Sequence, residues 1–130
     1  MTERKSIVPD SMKVISERFH YSPGVQVGNV LYVAGQVGRT DDLKVIEDTE
    51  AQYAAAFENL GKVLAAAGAD FSDVVDLVTY HTEMRDLALF MKVKDRYFKK
   101  DFPAWTAIGT TALAMPGLSI EIKATAVLRK

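Results

Sequence analysis

The chain has 130 residues, a formal net charge of −1 and no cysteine, with 48% hydrophobic and 25% charged residues. These values describe one soluble globular domain over residues 1–130, long enough for a sizeable core. They exclude disulfide and thiolate chemistry, and give no electrostatic footprint for nucleic acid or an anionic membrane surface.

His20 and His81 are the only histidines, and no spaced His/Asp/Glu cluster accompanies them. A protein-built metal site is therefore not expected, and no cofactor motif stands out. The N-terminus, Met-Thr-Glu-Arg-Lys, lacks the apolar stretch of a signal peptide. No run reaches membrane-spanning length, so a cytoplasmic location is expected.

Residues 1–12 read as an irregular arm. Strand signals begin near Lys13-Val14-Ile15. After the turn residues Ser22-Pro23-Gly24 come Val25-Gln26-Val27, then Gly28-Asn29, then Val30 to Ala34. Two β-rich runs joined by Gly-Asn predict a hairpin. Gly35 and Gly38 follow at the strand end, where glycine permits either a bulge or a close backbone approach. Thr40-Asp41-Asp42 reads as a loop.

Thr49-Glu50-Ala51-Gln52 has the form of a capping box. Tyr53, Phe57, Leu60, Leu64 and Ala67 recur at helical spacing, and Gly68 closes the helix. Phe71 to Thr82 is rich in β-formers. Asp86 is placed to cap a second helix that buries Leu87, Phe90, Met91, Tyr97 and Phe98, with its lysines as a solvated face.

Pro103 favours an extended entry to the next strand, where Trp105, Ala107, Gly109 and Thr111 share one side. In the last strand Ile120, Ile122, Ala124, Ala126 and Leu128 form an apolar face, with Ser119, Glu121, Lys123, Thr125 and Arg129 opposite, interrupted only by Val127. The expected architecture is a two-layer α+β domain, two helices packed on one face of a sheet. Trp105, Thr111, Glu121, Thr125 and Val127 are expected on the uncovered face, and a tryptophan there predicts oligomerisation through it.

Four segments resemble the RidA/YjgF family, also labelled endoribonuclease L-PSP. They are Gly28 to Gly38, Glu58-Asn59-Leu60 with Ala65-Ala66-Ala67-Gly68, Pro103-Ala104-Trp105-Thr106, and Ile120-Glu121-Ile122-Lys123-Ala124. They stand in family order from about Tyr21 to the C-terminus. The resemblance implies a chorismate-mutase-like fold, with about six strands in a mixed sheet. It also implies a homotrimer with small-molecule clefts between subunits. Deaminase members hydrolyse enamine/imine intermediates such as 2-aminoacrylate to 2-keto acids and ammonia.

Carried over residue by residue, the resemblance implies a site with one departure at its centre. The family's carboxylate-clamping arginine is Trp105 here, which has one N–H donor and no charge. A frequent cysteine two positions on is Ala107, and a small polar residue of the second helix aligns with Met91. Tyr21, Gly35 and Glu121 are retained, Glu121 as the water-holding carboxylate and general acid or base. His81, at a strand end, is a further acid–base candidate if it shares a cleft with Glu121.

Two readings follow. One is a divergent enamine/imine hydrolase whose substrate is aromatic or neutral. The other is a non-catalytic metabolite-binding trimer with the ancestral site blocked by Trp105. The family's ribonuclease label implies a third, which would favour cationic phosphate contacts that these residues do not supply.

Overall fold

The structure, a computed structural model, describes residues 3–129. The strands are β1 Arg4–Ile7, β2 Gly24–Val27, β3 Val30–Val37, β4 Val74–His81, β5 Ala104–Gly109 and β6 Ile120–Val127. The helices are α1 Lys13–Phe19, α2 Thr49–Ala66 and α3 Leu87–Lys94. The strands form one six-stranded sheet in the order β1-β2-β3-β6-β4-β5. Its pairs are antiparallel except β4 and β5, which run parallel because α3 carries the chain across between them.

One apolar cluster lies between the sheet and the helices. α2 buries Tyr53, Phe57, Leu60 and Leu64 over Leu31, Val33, Ile122 and Ala124. Phe57 stacks on Phe90 and Tyr97 at centroid distances of 5.4 and 4.9 Å, tying α2 to α3. Such ring pairs add about 0.5–1.5 kcal/mol each beyond their buried area.

The predicted hairpin forms, with Gly28 at φ 61° in its turn. Several boundaries differ from expectation: β4 opens at Val74 after a 3-10 turn over Phe71–Asp73, and α3 stops at Lys94, short of Tyr97 and Phe98. Lys13-Val14-Ile15 opens α1 rather than a strand, because Met12 and Ile15 are buried three residues apart, at helical spacing. Tertiary burial outweighs the local β preference of Val14 and Ile15. The edge strand is instead Arg4–Ile7, whose charged Arg4 and Lys5 gave no strand signal but suit an exposed edge. The cap of α2 is Asp48, which accepts from the Ala51 N–H, and Thr49 is already helical.

The largest difference concerns Trp105. Parallel pairing sets Leu77 opposite Trp105, Thr79 opposite Ala107 and His81 opposite Gly109. Leu77, Thr79 and His81 are buried on the helix-covered side, so Trp105 and Ala107 lie there too. The uncovered face carries Tyr32, Tyr80, Ile108, Glu121, Thr125 and Val127 in its place. Tyr32, Ile108 and Val127 are exposed there.

Candidate functional site

The site begins at the end of α1. His20 adopts a left-handed conformation (φ 60°, ψ 46°) and donates its N–H to the Ser16 carbonyl. That turn stops the helix and brings Phe19 and Tyr21 to the border of one cleft. Opposite them, the β3–β6 register shifts between Val33 and Gln36. Ala34 donates to the Pro23 carbonyl at 2.8 Å on the β2 side, and Gly35, within the bulge, lies against Glu121. A Cβ on residue 35 would stand 2.1 Å from Glu121 Oε2, so only glycine leaves the carboxylate its place. Both sequence readings of Gly35, bulge and close approach, therefore hold together.

Tyr21, Gly35, Val37, Arg39, Ala114, Leu118 and Glu121 line an open cleft of about 250 Å³. It continues into a second volume of about 390 Å³ walled by Phe19, Leu43 and Met115, with Tyr21, Arg39 and Ala114 shared. Beneath Gly35 and Arg39 lies a cavity of about 20 Å³, enough for one water molecule.

Arg39 is the residue that sequence reasoning missed. Gly35, Val37 and Arg39 have the same parity along the strand and its extension, which was the available signal. A bridge between Arg39 and Val45 fixes its backbone, and Asn59 Nδ2 donates to its carbonyl at 3.1 Å.

Of the expected site residues, Tyr21, Gly35 and Glu121 meet in this cleft. Trp105, His81 and Ala107 do not share it. Adjacent residues of a strand face opposite ways, and His81 pairs with Ile120 where Tyr80 pairs with Glu121. Trp105 therefore does not fill this cleft. Its ring lies against Phe90 at 6.1 Å and its Nε1 donates to Thr79 Oγ1 at 3.0 Å. The Lys94 ammonium sits 4.7 Å over the indole. Met91, expected on the buried side of the second helix and in the site, is instead exposed on α3 and lines neither volume, while Lys94, expected on the solvated face, is buried over Trp105.

His81 is 1% exposed, with Nε2 2.7 Å from Thr79 Oγ1 and its ring edge-on to Phe90 at 4.8 Å. Burial pushes its pKa below the usual imidazole range. This is a neutral core imidazole, on the far side of the sheet from Glu121. Among the described residues no group of His, Cys, Asp and Glu is placed to hold a metal ion. No helix among them is long and apolar enough to cross a membrane.

A helix-backed mixed sheet, with a bulged strand presenting a glycine to a glutamate beside an open cleft, defines a chorismate-mutase-like α+β protein. The family model for Endoribonuclease L-PSP matches residues 12–128. The chain belongs to that family, the RidA/YjgF proteins. It is 37% identical to the RutC family protein YjgH of Escherichia coli over 95% of this chain and 94% of that one. It is 34% identical to the human 2-iminobutanoate/2-iminopropanoate deaminase over 82% and 79% of the two chains. The solved structure of protein YJGH superposes with a TM-score of 0.90 at 35% identity, covering 98% of each chain. That of a RidA from an Antarctic Psychrobacter gives 0.80 at 31% identity, covering 84% and 89%.

Proposed function

We propose that this protein hydrolyses an enamine/imine to a carbonyl compound and ammonia in the cleft of Tyr21, Gly35 and Glu121. The carrying observation is the seating of the Glu121 carboxylate against Gly35 at the wall of an open cleft. A carboxylate held there is placed to take a proton from water as water adds to the C=N carbon. The imine nitrogen gains a proton as the C–O bond forms. A second transfer to nitrogen accompanies C–N cleavage, so one water and one imine become one carbonyl and one ammonia. Relatives named as 2-iminobutanoate/2-iminopropanoate deaminases support the reaction type.

The substrate carries a larger apolar or aromatic group than 2-aminoacrylate. Phe19, Tyr21, Leu43 and Met115 supply its wall. The protein acts as a homotrimer, through the exposed Tyr32, Ile108 and Val127 of the uncovered sheet face.

The test is a substrate panel. Ammonia release is measured from freshly generated 2-aminoacrylate and from imines bearing aromatic side chains. Faster release from the aromatic imines is expected. Release from neither, with binding retained, would favour the non-catalytic metabolite-binding reading.

A further inference from the structure

Position 105 carries no charge, yet the cleft is not without a cation. Arg39 borders the Glu121 cleft, the apolar extension beside it and the small cavity below. Its recorded side-chain partner is a thioether, Met115 Sδ, 3.2 Å from Nη1. Thioether sulfur is a weak acceptor. No ion pair among the described residues includes Arg39. Arg39 is half-buried, and its guanidinium presents five donors in a planar fork beside the cleft. A carboxylate matches that fork through two parallel bonds.

We propose that Arg39 is the anion clamp of this cleft, selecting a carboxylate ligand whose bulky apolar group lies between Phe19, Tyr21, Leu43 and Met115. The proposal rests on the function argued above and narrows it, because a neutral substrate leaves Arg39 unpaired. The geometry orders the ligand. Its carboxylate meets Arg39 where the two volumes join, its reacting carbon faces Glu121, and its side chain extends over Leu43 and Met115. The cation comes from the extension of the strand that supplies Gly35, not from β5, so Trp105 leaves the clamp intact.

Binding is measured by calorimetry with three product-like probes: phenylpyruvate, pyruvate and the uncharged phenylpyruvamide. The wild type should bind phenylpyruvate more tightly than the other two. Arg39→Gln should lose about 10- to 100-fold for phenylpyruvate, the worth of a charge-assisted bond, and little for the amide. Arg39→Lys should recover part of the loss. Asn59 bonds the main-chain carbonyl of residue 39, so these variants keep the loop, and circular dichroism checks it. Equal binding of phenylpyruvate by wild type and Arg39→Gln would overturn the proposal. So would a wild type that prefers the amide or binds none of the probes. Arg39-dependent binding without ammonia release from any imine would keep the clamp and sink the hydrolase reading. Hydrolysis indifferent to Arg39 would do the reverse.

Discussion

The carboxylate of Glu121 stands where a side chain on residue 35 would begin, 2.1 Å from the Cβ that Gly35 lacks. Gly35→Ala must therefore move the whole Glu121 side chain, whose Cγ would lie 2.8 Å away. Residue 35 does not need a positive φ, and the displaced carboxylate can turn toward solvent. We expect a stability change within about 1 kcal/mol, since lost unfolded-state freedom offsets the strain. Activity should fall by about 100-fold, the effect of misplacing a reacting group by an ångström. Thermal melts beside initial rates check the split.

Gln52 ties the strand that carries Glu121 to α2. Its amide donates to the Ile46 and Gly117 carbonyls and accepts from the Ser119 N–H at 2.7 Å, all while 1% exposed. Gln52→Leu strands these three backbone groups. At about 1 kcal/mol or more each, the expected loss is roughly 3 kcal/mol. Denaturant titration measures it.

Trp105 and Lys94 form a second linked pair on the helix side. Trp105→Arg would set a guanidinium beside the Lys94 ammonium and remove the donor to Thr79. The expected cost is about 2 kcal/mol, from like charge and lost packing. Lys94→Met in that background should recover part of it. The cation–π coupling in a double-mutant cycle with Trp105→Leu should be about 1 kcal/mol.

His81 makes stability depend on pH. Its folded pKa lies below its ordinary value of 6.5 because burial disfavours the imidazolium. The unfolded chain therefore binds more protons as pH falls below 6.5, and the folded state loses stability until the folded pKa is passed. Unfolding free energies between about pH 7.5 and 5.5 should fall for the wild type and less for His81→Gln.

The hairpin, α2 and the two faces of β6 were readable because each rests on local signals: Gly28-Asn29, helical spacing from Tyr53, and strict alternation from Ile120. The face of Trp105 was not, because alternation gives two sides without saying which is inside. The parallel register with Leu77 decides that, and it is a long-range fact. The same holds for His81, whose strand-end position made it a candidate for the Glu121 cleft while α3 buries it under Phe90 on the other face. Tyr21, Gly35 and Glu121 came from the family resemblance, and the structure brings them to one cleft. Arg39 lay in a stretch read as strand end and loop, and only the fold-back of Leu43 and Met115 beside it makes a wall.

The most direct measurement compares ammonia release by wild type and Glu121→Gln from an imine generated in place from an aromatic amino acid. Gln keeps the shape against Gly35 but cannot accept the proton from water. The account predicts catalysis by the wild type and a fall of about 100- to 10,000-fold in Glu121→Gln, with product binding retained. Equal rates in the two proteins, or a wild type no faster than the uncatalysed reaction, would contradict it.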